Sequence, residues 1–187
     1  IYALSLHDAL PLCAFASIFD RDVDLELMLV YSRLWDTPDD LFNDDDPFNS
    51  FINYWNANME DVDRDLAQFL TGRTNLPYGG IAAINATCSS FGYSVAGYIL
   101  GSFHSATEPH FGNWDVIVTA HELGHNCGTY HTHDYGLDEC ASGVISRGSI
   151  MSYCHTTTGG NANIDLRFHT YTAEQMRIHL ESSDCLE

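Results

Sequence analysis

Eleven residues, HELGHNCGTYH from His121 to His131, constrain this chain more than any other stretch, because they set three imidazoles and a carboxylate at fixed intervals. The run lies within a helical pattern: Trp114, Ile117, Val118 and His121 share one face, with Asn113 at the N-cap position. His121 and His125 are four residues apart, so on a helix both rings project from one face and can share one ion. Glu122, about 100° further round, reaches a water on that ion rather than the ion itself. A third histidine must come from chain that has left the helix, and Gly128 can adopt the left-handed conformation that turns the backbone toward His131. Three histidines leave one tetrahedral position open, as a catalytic zinc site requires, with one Zn2+ and Glu122 as general base.

The composition suits a single folded domain: 187 residues, 45% hydrophobic and 18% charged. Seven arginines face 26 acidic side chains, and the formal net charge of −19 argues against nucleic-acid binding. No apolar run is long enough to span a membrane. The six cysteines, Cys13, Cys88, Cys127, Cys140, Cys154 and Cys185, contain no C-x-x-C pair, which points to disulfides and an oxidising compartment; their pairing stays open at this level. The opening IYALSLHDALP resembles translated sequencing-adaptor read-through. Residues 1–12 are therefore set aside, and the domain is read as 13–187, shortened at its start; with no secretory leader, the chain is expected to be a mature form or a fragment.

From Cys13 to Asp20 the pattern reads as the end of a helix. Leu25 to Trp35 reads as a largely buried strand, and TPDDLFNDDDP as solvated turns. Phe48, Phe51, Ile52, Trp55 and Met59 recur at helical spacing, predicting a helix over 48–61 with its aromatic face on a sheet. Arg64 to Thr71 is ambiguous. IAAIN after Gly79 and Gly80, and SVAGYIL from Ser94 to Leu100, read as short strands. Residues 132–170 are rich in Gly, Ser, Thr and Asn without periodicity and predict an irregular region. Thr172 and Gln175 match a capping box at the start of a last helix. His133 is an alternative third ligand, while Asp134, Asp138 and Glu139 form a candidate Ca2+ cluster.

The long histidine motif resembles that of the metzincin zinc peptidases, and SIMSY, with Met151 twenty residues past His131, resembles their Met-turn. The order DLAQFLTGR, GGIAAIN, SVAGYI and AHELGHN is similar to that of the reprolysin or adamalysin branch, whereas Tyr153 in SIMSY resembles the tyrosine of astacins and serralysins. Two features depart from the branch: Thr132 and His133 precede Asp134 after the third histidine, and the turn reads SIM. The resemblance implies an α+β metzincin fold, with a twisted mixed sheet, long helices including the active-site helix, and an irregular C-terminal subdomain. It implies Met151 as an apolar floor beneath the imidazoles and Tyr153 as a catalytic hydroxyl. It makes Asp65 to Arg73 a strand and Ser94 to Leu100 the edge strand on which substrate lies. Cys88 is expected to pair with Cys185, and Cys140 with Cys154. The implied function is endoproteolysis of extracellular protein by a secreted enzyme, expected to be a monomer. A catalytically silent adhesion module on the same fold is the alternative, and the retained Glu122 argues against it.

Overall fold

The structure, a computed structural model, describes residues 6–34, 41–42, 45–137, 139–140 and 147–186. Helix α1 spans Leu6–Val23, so residues 6–12, set aside above, begin it; Phe15, Ile18, Phe19 and Val23 recur on one buried face. Helix α2, Pro47–Asn58, starts where Asp46 accepts a hydrogen bond from the Phe48 amide at 3.2 Å and Pro47 supplies a preset first turn. Its aromatic face meets the sheet as expected. Phe51 packs against Phe69 and Tyr93, with ring centroids 5.6 and 5.7 Å apart.

The sheet has three strands among the described residues: β1 (Ala67–Leu70), β2 (Gly80–Ala82) and β3 (Tyr93–Ala96). β3 runs parallel to β1 and antiparallel to β2, in the order β1-β3-β2. This mixed sheet and the surrounding helices form the expected α+β architecture, and the β1 strand resolves the ambiguous segment after Arg64. The predicted edge is corrected: the SVA residues lie in the middle strand β3, whose four residues are all buried, and β1 and β2 are the two edges among the described residues. A central strand is buried on both faces: Tyr93 and Val95 lie on one and Ser94 and Ala96 on the other, and Val95 stands between Phe69 and Ile81 of the neighbouring strands.

Other expectations are also overturned. Residues 24–34 form no strand, and Met28, Val30 and Leu34 are well exposed; Trp35 lies outside the described residues. The alternating pattern reflects β propensity, but no described strand pairs with this segment, which instead meets α2 through Tyr31 on Trp55 and Arg33 on Tyr54. Within the supposedly solvated acidic loop, Phe42 is buried among Phe51, Tyr54 and Phe69. A single large aromatic can outweigh its polar neighbours' preference for water.

Helix α3 spans Trp114–Asn126 and α4 Thr170–Glu181. Asn113 stands at the α3 N-cap without capping it. Its Oδ1 instead accepts from the amides of His104 and Ser105, holding the preceding loop. α4 starts before the predicted capping box, on His169, whose Nδ1 accepts from the Tyr171 amide; Thr172 donates to the His169 carbonyl. Between α3 and α4 the described residues are irregular, with short 3-10 turns, as expected. The end of α1 clamps this region. Asp22 Oδ2 accepts from the Phe168 amide at 2.8 Å, and Arg21 donates to the Leu166 carbonyl at 2.8 Å.

Both expected disulfides are present. Cys88–Cys185 ties the loop before β3 to the segment after α4, and Cys140–Cys154 pins the irregular region. Cys13 and Cys127 are free, the latter buried. Because Cys88–Cys185 closes a separation of 97 residues, its removal in the Cys88→Ala/Cys185→Ala double variant is expected to cost about 2–5 kcal/mol in urea unfolding followed by circular dichroism. An unchanged midpoint would refute this role.

Candidate metal centre

Helix α3 is buried on all sides: every residue after Trp114 lies below the surface, between the sheet on one side and the α1 core on the other. His121 and His125 therefore project from its cleft-facing side in largely dry surroundings. Past the helix, Gly128 takes φ +115° and the chain reverses to bring His131 back. Only glycine suits this turn, because a Cβ there would lie 2.4 Å from Cβ of His179 on α4.

The three imidazoles meet at one point. Nε2 of His125 is 3.2 Å from Nε2 of His131, and one nitrogen from each of the three rings lies within 4.8 Å of the others. The opposite nitrogens fix the rings. His121 Nδ1–H donates to the Ile150 carbonyl and His125 Nδ1–H to the Thr129 carbonyl, each at 2.8 Å. These bonds select the tautomer that leaves Nε2 with its lone pair facing the cluster. His131 is steered by Asp134, whose Oδ2 accepts from both its Nδ1 and its backbone amide at 3.2 Å.

Electrostatics favour neutral rings. Burial holds His121 well below the usual histidine range, with His125 as a second cause; burial pushes His125 down to about 4 and also lowers His131. Three unprotonated lone pairs at such separations repel unless a cation lies between them. Bonds of about 2.0–2.1 Å to a tetrahedral zinc place neighbouring nitrogens about 3.3 Å apart, and the His125–His131 pair matches. The donor set thus fits zinc.

Glu122 is buried beside this cluster, and burial pushes its carboxyl up to about 8. It lies against the edge strand β2: a Cβ on Gly80 would be 2.3 Å from Glu122 Oε1, so a side chain there would displace the carboxylate. Met151 is wholly buried beneath α3, and a Cβ on Gly124 would be 2.8 Å from its sulfur. The Met151 carbonyl accepts from the Thr132 amide, tying the turn to the chain after His131. Tyr153 is half-exposed on the open side, its ring 4.5 Å from that of His131 and 6.4 Å from that of His121.

All the residues read from the motif are therefore gathered here: His121, Glu122, His125, Gly128, His131, Met151 and Tyr153. His133 is not the third member of the cluster; it stacks outside His131. No calcium cluster forms among the described residues. Asp134 serves His131, Glu139 accepts from the amide and hydroxyl of Ser149 to brace the turn, and Asp138 lies outside the described residues. Sequence reasoning missed the contributions of Asp134, Gly80 and the Ile150 and Thr129 carbonyls. Of these, only Asp134, three residues past His131, carried a local signal.

A family model described as metallo-peptidase family M12B, reprolysin-like, matches residues 12–132, well over half the chain and all of the histidine motif. No curated protein matches the chain.

Substituting Gly128→Ala should impose the left-handed strain of a non-glycine residue together with the His179 clash. The expected loss is about 2–4 kcal/mol in urea unfolding. Wild-type stability in that variant would show that the turn can relax around a side chain.

Proposed function

Because the chain belongs to the reprolysin-like M12B metallopeptidase family, we propose that it is a zinc-dependent endopeptidase acting on extracellular proteins, with His121, His125 and His131 as ligands and Glu122 as general base. The observation that carries this reading is the convergence of three neutral imidazoles beside a buried carboxylate on an open sheet edge. When bound, zinc supplies Lewis acidity and brings the pKa of a water to about 7. Glu122 accepts the proton of the attacking water as its oxygen bonds to the carbonyl carbon, and delivers that proton to the amine nitrogen when the tetrahedral intermediate collapses and the peptide C–N bond breaks. Its burial beside Gly80 raises its proton affinity, which favours taking the proton from the water. The Tyr153 hydroxyl donates to the oxyanion of the tetrahedral intermediate.

Substrate adds to the sheet as an extended strand along β2, which pairs with β3 on one side only among the described residues. This edge takes over the role first expected of the strand beginning at Ser94. At Gly79 an open depression of about 520 Å³, lined by Tyr78, Tyr98, Leu100 and Trp114 among others, receives an apolar side chain of the peptide. Two disulfides suit a secreted enzyme, and no described helix is long and apolar enough to cross a membrane.

The purified protein is expected to hold one zinc per chain by metal analysis, to cleave casein, and to lose cleavage on chelation and regain it with zinc. Glu122→Gln should keep the zinc while kcat falls about 10²–10⁴-fold. Undiminished cleavage by that variant would falsify the mechanism. Tyr153→Phe should also keep the zinc and lose about 10²-fold in kcat with little change in KM, as removal of one oxyanion donor does. A change confined to KM would make Tyr153 a substrate contact instead.

A further inference from the structure

His133 lies outside the three-histidine cluster yet parallel to it. Its ring stacks on that of His131, with centroids 5.0 Å and planes 7° apart. The carboxylate of Asp134 stands between the two residues and divides its oxygens: Oδ2 accepts from His131, while Oδ1 is 3.6 Å from His133 Nε2. Donor atoms of His131, His133 and Asp134 all fall within 4.8 Å of one another, a second such group beside the first.

The Asp134–His133 separation is slightly wider than the roughly 3.3 Å between two donors on one tetrahedral zinc, a gap that a small side-chain rotation closes. An imidazole nitrogen paired with a carboxylate oxygen suits zinc or copper rather than calcium or magnesium, which prefer all-oxygen shells. Both side chains are about half-exposed, at 51% and 43%, so water can fill the remaining positions and an ion can arrive from solvent. Two half-exposed donors hold an ion more weakly than three imidazoles of which two are buried. The net charge of −19 raises the local concentration of cations around the molecule.

The location gives such an ion a consequence. Tyr153 lies 4.9 Å from the His133 ring and 4.5 Å from that of His131, so the pair stands at the open side of the proposed catalytic centre. We infer that His133 and Asp134 form a second, weaker site for a zinc-class divalent cation at the mouth of this centre, and that its occupancy inhibits cleavage. The inhibition rests on the peptidase reading; the binding does not. An ion there crowds the approach beside Tyr153 and draws on the carboxylate that orients His131. Asp134 thereby links the two sites.

The test is calorimetric titration of metal-stripped protein with zinc, alongside casein cleavage in rising zinc. Wild type should show a tight event at one equivalent, a weaker second event, and loss of cleavage over the range of the second. His133→Ala should leave the first event and the one-zinc activity intact. Its second event should weaken, and the inhibiting zinc concentration rise, by more than about tenfold, since loss of even an outer partner costs about 10–100-fold in metal affinity. His133→Asn, which keeps a polar side chain, should behave likewise, and circular dichroism checks that both variants fold. Calcium over the same range should neither bind there nor inhibit. If wild type and both variants share the same second event and the same inhibition, the ion sits elsewhere on the acidic surface and the inference is overturned. Absence of the first event would instead overturn the peptidase reading, leaving the His133 comparison readable in the second.

Discussion

A helix buried on every side can carry polar side chains only if other parts of the chain come to meet them, and that requirement organises this molecule around α3. Asp115 takes the amides of Leu100 and Ser102, and so fastens the loop after β3. Asn126 donates to the carbonyls of Ala83 and Tyr93, locking the far end of the helix to β2 and β3. His121 donates to Ile150 and draws the methionine turn beneath it. Each bond relieves a desolvation cost that would otherwise amount to about 1–3 kcal/mol per orphaned group, so the polar residues of α3 determine what surrounds it.

The candidate centre follows from the same arrangement. Backbone carbonyls hold the Nδ1 atoms of two buried imidazoles, which leaves their Nε2 atoms to a shared point. Asp134 performs that service for the third, more exposed ring. The irregular region after His131 is therefore precise where it matters. Its hydrogen bonds run from Gly148 to Asn163, from Ile150 to Arg167 and from Ser149 to Glu139, and Cys140–Cys154 closes it. The described residues of that stretch form no regular helix or sheet, and such individual contacts hold Met151 and Tyr153 near the histidines.

The sequence alone determined which side chains meet at the centre, because their spacing is largely local. Three residues at helical spacing, His121, Glu122 and His125, and a glycine turn leading to His131 bring the four together. Helices with a clear apolar stripe, α2 and α3, were legible for the same reason. Cys88–Cys185 and Cys140–Cys154 were legible only through the family resemblance, since nothing in their spacing selects those pairs.

Only the tertiary structure decided which strand is the edge, what fixes each imidazole, and what the acidic residues do. β2 and the strand at Ser94 are both short apolar runs, and their order in the sheet depends on pairing between distant segments. The Leu25–Leu34 run has strand composition but no described strand partner, and composition cannot supply one. Asp134 and Glu139, read together as a cation cluster, have separate hydrogen-bonding tasks that appear only once His131 and Ser149 are folded against them. Local spacing brings the three imidazoles and Glu122 together; contacts between residues far apart in the chain set their orientation and the order of strands in the sheet.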